Sequence, residues 1–267
     1  MKIGFLITAR LKSSRLPLKL MLDLNGKSVV ERVIDRTKKV AYVDDIVLCT
    51  STNPQDRPLA EVAKKNEIYY YLGSEEDVLH RLKDAAEFFG FDYFVNITGE
   101  NPLFSIEYAN RVAEALLSGK HDFVYIDGLP IGCAVYGLRT DALKVVCEVK
   151  EVIDTEIWGM LVNQPHIFNV HKIEADQQVR TNLVERITCD YIEDYQFISA
   201  IFNRFSSEQT PSYGAMVDLL KQEPSLSKIN AMHKQLALDP SIAENINKYY
   251  RDNEKYVLDL KKKIYTK

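Results

Sequence analysis

The residues best equipped for chemistry lie in one short stretch, residues 8–21. There Arg10, Arg15 and Lys19 bracket Ser13 and Ser14, and Pro17 stiffens the turn. Cations converging with hydroxyl or backbone donors are what a triphosphate needs, because adjacent negative charges require both neutralisation and directed hydrogen bonds. The glycines of the Walker and dinucleotide fingerprints are absent, so neither common phosphate loop is present. On charge alone, a solvated basic loop is an equal reading. Other chemistry is weaker. His80, His121, His166, His171 and His233 show no metal spacing. Cys49, Cys133, Cys147 and Cys189 are dispersed without a CxxC pair, which predicts reduced thiols and a cytoplasmic protein, with Cys49 as core rather than nucleophile.

The elements around the basic stretch follow from periodicity. Residues 3–9 read as a buried first strand, too short to span a membrane, and residues 11–27 as the loop at its carboxyl end. Val29, Val30, Val33 and Ile34 recur at helical spacing, with Ser28 placed as N-cap. Residues 45–51 predict a second strand, 56–66 a helix, 68–72 a third strand, 75–89 a helix and 93–98 a fourth strand. Beyond them come a helix at 106–118, a strand at 122–126, a strand pair at 131–139 and 167–173, and a short strand at 186–189. Tyr69, Tyr70 and Tyr71 alternate across a strand and read as packing residues; Lys261 to Lys263 read as a solvated helix end. The alternation predicts an α/β fold with a doubly wound, mostly parallel, Rossmann-like sheet. Residues 1–205 form its domain, and 206–267 form a C-terminal helical extension packed on it. Ligands bind such sheets at the strands' carboxyl ends.

With 267 residues, 46% hydrophobic and 27% charged, the chain can bury a substantial core, which excludes disorder as its main state. Its net charge of −4 argues against nucleic-acid polymers and anionic membranes as partners. The total hides an imbalance: residues 1–40 hold ten Lys and Arg against three acids, leaving −11 for the rest.

Residues 8–19 resemble the A-R-x-x-S-x-R-x-P-x-K signature of the cytidylyltransferases that activate acidic sugars, the CMP-Kdo and CMP-sialic acid synthetases. The match is closest to the branch named for the spore coat polysaccharide protein SpsF. Ala9, Arg10, Ser13, Arg15, Pro17 and Lys19 fit it position by position. Residues 73–81 resemble G-S-x-x-D-V-L-x-R, residues 97–103 resemble I-T-G-D-x-P-L, and residues 186–194 resemble R-x-T-V-D-x-x-E-D. Four motifs in order over residues 8–194 make chance an unlikely source.

The resemblance implies a nucleotide-diphospho-sugar transferase fold and transfer of CMP from CTP to an oxygen of a small acidic acceptor, with release of pyrophosphate and Mg²⁺ as cofactor. It assigns Arg10, Arg15 and Lys19 to catalysis and the triphosphate, with Lys19 steadying the leaving group. Ala9, Ser13, Ser14, Ser74 and Arg81 join the nucleotide site, although Asp77 and Arg81 alone would read as a surface i, i+4 pair. Main-chain groups near residues 7–9 and the strand end at Thr50 and Ser51 are expected, by analogy, to select the base. Asp190 matches one metal-ligating aspartate, and Glu100 stands where the other is usually Asp. Relatives are commonly homodimers, with residues 206–267 as a plausible interface. Three departures matter. Lys12 and Leu18 replace glycines, Glu100 adds a methylene, and residues 133–136 replace a more acidic run before the next strand, where relatives face the acceptor. The alternatives are another NTP, a phosphate or phosphonate acceptor, or a catalytically silent nucleotide-binding module.

Overall fold

The computed structural model describes residues 1–150, 158–177, 179–180, 183–234 and 239–266. Its centre is a seven-stranded sheet built from β1 (Ile3–Thr8), β2 (Asp45–Ser51), β3 (Tyr69–Gly73), β4 (Tyr93–Thr98), β5 (Phe123–Asp127), β6 (Tyr136–Arg139) and β7 (Val170–Glu174), in the order β3-β2-β1-β4-β6-β5-β7. All neighbours are parallel except β6, which runs antiparallel to both β4 and β5. The doubly wound, mostly parallel sheet is the one expected. β1 is buried at every position, which is why it reads as an uninterrupted apolar run.

One face is covered by α1 (Val29–Thr37), α2 (Arg57–Lys65) and α4 (Ile106–Leu117), whose apolar stripes enter one core with α7 (Ile192–Phe202) and α8 (Tyr213–Gln222). The other is covered by α3 (Val78–Phe89) and α5 (Thr140–Val149), with Val162 of the short α6 (Gly159–Val162), Tyr250 of α9 (Pro240–Asp252) and Val257 of α10 (Glu254–Tyr265) in the same second core. Among the described residues no helix is long and apolar enough to cross a membrane.

Several local expectations need correction. The segments at 131–139 and 167–173 do not pair with each other: β6 and β7 flank β5, because β6 turns back between β4 and β5. Residues 186–189 form no strand. A single bridge joins Ile131 to Arg186, Ile187 donates to the Ile131 carbonyl and Cys189 to the Glu100 carbonyl, and the Arg186 side chain adds bonds to Asp190 and Asp194. The helix expected from residue 75 begins at Val78, because Asp77 accepts the His80 N–H as N-cap. Helices α5 and α7 were not anticipated. Lys261 is not solvated: its ammonium donates to Asp122 Oδ2 at 2.6 Å and to the Ile167 carbonyl at 2.8 Å, pinning α10 to the sheet. Tyr69 and Tyr71 pack against Phe89 and Phe88, yet β3 is an edge strand and Tyr69 stays mostly exposed.

Ser28 caps α1 as expected, in a reciprocal capping box with Glu31. Two cations of the basic N-terminal region turn inward from this helix. Arg32 donates to the carbonyls of Leu24 and Ser207, and Arg36, 1% exposed, donates to those of Phe104 and Pro211 at 2.7 Å each. Replacing Arg36 by Met strands two buried acceptors. At about 1–3 kcal/mol for each, the variant should lose about 2–6 kcal/mol, read from the urea midpoint.

Glu31 gives a pH signature. Burial works against its charge, but bonds from Lys65 and from Ser28 hold its carboxyl down at about 2. A carboxyl held low when folded adds stability that is complete above its unfolded pKa and is lost as pH falls through the folded one. The stability gap between the wild type and Glu31→Gln should therefore be full above about pH 4.5 and narrow toward pH 2. A gap that stays constant in acid would contradict it.

Candidate active site

β1 lies between β2 and β4, in register Thr8 with Cys49 on one side and Thr8 with Thr98 on the other. The chain leaves β1 to build β2 and β3 outward in one direction and later returns to place β4 on the opposite side. The carboxyl ends of β1 and β4 therefore flank the point where the winding reverses. The basic loop emerges there. Gly99 lets it settle close, since a Cβ at that position would lie 3.2 Å from the Ala9 Cβ and 3.3 Å from Leu20.

Backbone bonds fix the loop's root. Ala9 donates to the Cys49 carbonyl at 3.1 Å, and Leu11 donates to Asp56 Oδ1 at 2.7 Å, while Ser51 donates to the other oxygen of that buried carboxylate. Further on, the Ser13 hydroxyl accepts from the Leu16 N–H, forming the turn, and Ser14 is exposed. Leu18 sits in the left-handed region at φ 54° immediately before a 3₁₀ turn, Lys19–Met21. The resemblance to the family signature leads to glycine being expected at this position, and the loop takes the glycine-type conformation with leucine in its place.

The structure divides the expected site residues between two sides. Arg10 reaches toward the loop after β3. Its Nη1 donates to the Glu75 carbonyl at 2.5 Å, which also accepts from Arg81 Nη1 at 3.4 Å. Arg81 additionally donates to the Ser74 carbonyl at 2.6 Å. It is no surface partner of Asp77. It is 1% exposed, its Nε is buried without a hydrogen bond, and Asp77 pairs instead with Lys150 and His80. Burial, with Arg10 adding to it, pushes the Arg81 pKa down to about 10. The Ser74 hydroxyl accepts from the Asp77 N–H. Lys12, in place of the other glycine, lies 3.4 Å from the Glu75 carboxylate, which Asn53 also holds.

On the other side, Asp190 gathers cations. Its Oδ1 accepts from Lys19 Nζ at 2.7 Å and Arg15 Nη2 at 3.3 Å, and its Oδ2 from Arg186 Nη2 at 2.8 Å. Burial opposes the Lys19 charge, but the negative fields of Glu100 and Asp190 prevail and hold its pKa above the ordinary lysine value. Burial likewise pushes the Asp190 carboxyl up, and Lys19, Arg15 and Arg186 outweigh it, so that it stays below the ordinary aspartate value. The Glu100 carbonyl accepts the Cys189 N–H at 2.9 Å, which ties the two acidic segments together.

Arg186, Asp194, Asp56 and Glu75 belong to this framework and were not singled out from sequence. For Arg186 and Asp194 a signal existed, since each stands four residues from Asp190 within one motif. For Asp56 and Glu75 there was none. Among the described residues no group of three or more His, Cys, Asp or Glu is placed to hold a metal. The donor set nevertheless suits a hard cation that shares its shell with phosphate oxygens and water, for which one or two carboxylates suffice. Asp190 and Glu100 both act on the one Lys19 ammonium.

A cytidylyltransferase family model matches residues 5–225. The chain belongs to the cytidylyltransferase family. Spore coat polysaccharide biosynthesis protein SpsF of Bacillus subtilis is 26% identical over 229 residues, covering 83% of this chain and 95% of that protein. Among solved structures, a cytidylyltransferase from Leptospira borgpetersenii shares the fold with a TM-score of 0.78 at 24% identity, over 89% of this chain and 100% of the other. CMP:2-keto-3-deoxy-manno-octonic acid synthetase complexed with CTP shares it with a TM-score of 0.61 at 14% identity, over 76% and 99%.

In this family member the left-handed Leu18 is open to a direct check. Leu18→Gly should leave stability within about 1 kcal/mol or raise it, whereas Leu18→Val, a β-branched residue at positive φ, should lower it by about 1–2 kcal/mol. Equal effects in urea unfolding would contradict the assigned conformation.

Proposed function

We propose that the protein transfers CMP from CTP to an oxygen of a small acidic acceptor, a sugar acid or related acid used in surface polysaccharide synthesis, and releases pyrophosphate. The observation that carries this reading is the Asp190 carboxylate held between Lys19 and Arg15, on the loop where the winding reverses. Membership of the family and similarity to SpsF support it.

In the transfer a bond forms between the acceptor oxygen and the α-phosphorus while the bond from that phosphorus to the oxygen bridging to the β-phosphate breaks. Negative charge then builds on the departing pyrophosphate, so positioned cations are the main catalytic resource. Arg10, Arg15 and Lys19 bind the triphosphate, with Lys19 on the leaving group. Ser13 and Ser14 add hydroxyl donors, and Ser74 and Arg81 complete the nucleotide side. Ala9 has its N–H committed to Cys49, so it offers a base its carbonyl. Asp190 and Glu100 would hold Mg²⁺, which would neutralise phosphate charge when bound. The pairing of Lys19 and Arg15 with Asp190 keeps these opposite charges compensated before nucleotide arrives.

The test is pyrophosphate release from each NTP with Mg²⁺ and a panel of octulosonic, nonulosonic and phosphorylated acids. CTP with a sugar acid should be the productive pair. Lys19→Ala and Asp190→Asn should each lower kcat by about a hundredfold or more while the melting transition stays cooperative. Release with another NTP or only with a phosphorylated acid would redirect the reading, and tight CTP binding without turnover would make the protein a silent nucleotide-binding module.

A further inference from the structure

The family match ends at residue 225, yet the chain just beyond it returns to the loop that carries Asp190. After a 3₁₀ turn, Leu226–Lys228, the Asn230 side chain is 2% exposed and its Nδ2 donates to Asp194 Oδ1 at 2.9 Å and to the Arg186 carbonyl at 3.3 Å. Asp194 is fully buried, and its other oxygen accepts from the N–H groups of Asp190 and Tyr191 and from Arg186 Nη2, at 3.0–3.1 Å. Three residues on, the His233 ring stacks on Tyr191, with centroids 4.0 Å apart and planes within 1°. Its Nε2 lies 2.7 Å from Glu193 Oε2. The Tyr191 ring in turn lies 5.2 Å from the guanidinium carbon of Arg15 and 5.5 Å from that of Arg186.

We infer that residues 226–233 are a strap that positions the phosphate-binding and metal-binding groups: Asn230 sets Asp194 and through it Asp190, and His233 sets the Tyr191 ring and through it Arg15. The inference rests on the function proposed above. Its physical basis is preorganisation. Arg15 is a long, exposed side chain that would lose much rotamer freedom on meeting a phosphate. An aromatic face within cation–π reach narrows the directions it samples beforehand. A tyrosine does this only if its own ring is fixed, and the parallel imidazole, itself held by Glu193, supplies the fixing. Asn230 is buried against two acceptors of the 186–194 loop, so the same short segment secures both ends of the device. Asn230 and His233 are positioning residues; neither is placed to touch a reacting atom.

The experiment measures CTP affinity by calorimetry in EDTA, alongside steady-state kinetics and the metal concentration giving half-maximal rate. His233→Ala should weaken metal-free CTP binding about two- to fivefold, the range of an exposed cation–π contact. His233→Phe, which keeps the stack and loses the bond to Glu193, should restore most of it. In a Tyr191→Leu background, His233→Ala should add nothing further. Asn230→Ala should raise the metal requirement while leaving metal-free CTP affinity near that of the wild type. Urea unfolding of each variant checks that it is folded. Unchanged CTP affinity in a folded His233→Ala, failure of His233→Phe to rescue a weakened one, or additive effects with Tyr191→Leu would overturn the strap. If the wild type binds CTP but releases no pyrophosphate with any acceptor, the transfer reading falls while the strap is still decided by the binding series. If it does not bind CTP at all, both fall.

Discussion

Asp190 is the carboxylate on which the site depends. It lies at the end of a segment without regular structure, yet it meets Lys19 and Arg15 from a loop more than 170 residues earlier in the chain and Arg186 from its own segment. Cations crowded at a strand end repel one another, and a nearly buried ammonium such as Lys19 loses much of its hydration. One well-placed carboxylate relieves both costs. The arrangement of the surrounding parts follows: Gly99 lets the basic loop approach, Asp56 secures its root, and Asp194 fixes the backbone from which Asp190 projects.

The excess of positive charge in residues 1–40 serves two purposes. Arg10, Lys12, Arg15 and Lys19 lie on the loop after β1, where Arg10 and Lys12 meet Glu75 and Arg15 and Lys19 meet Asp190. Arg32 and Arg36 turn into the protein and donate to main-chain carbonyls of distant segments, including those of Ser207 and Pro211. Net charge cannot separate the two uses, because a guanidinium is equally charged on a phosphate or beneath a helix. Only the orientation of α1 distinguishes them. Half-buried cations such as Lys261 follow the same logic, since a long apolar stem lets a charge reach an acid or a carbonyl that the sequence places nowhere near it.

Much was legible in the chain itself. The order of β1 to β4, the Ser28 cap and the basic loop follow from apolar periodicity and local hydrogen-bonding rules, which act over a few residues and leave a pattern in the letters. The four motifs pointed to the family before any geometry was known. Even the Leu18 conformation had a trace, in a position where the resemblance led to glycine being expected.

What only the tertiary structure decided concerns partners far apart in sequence. The insertion of β6 between β4 and β5, the burial of Arg81, the pairing of Asp77 with Lys150, and the return of Asn230 and His233 to the Asp190 loop have no local signature. A strand's neighbours, or the charge that an arginine meets, are set by how complete elements pack. The sequence by itself determined the basic loop and the motifs that mark the family; the fold decided which of the loop's cations share a carboxylate, because hydrogen bonds and ion pairs act over a few ångströms of space whatever their separation along the chain.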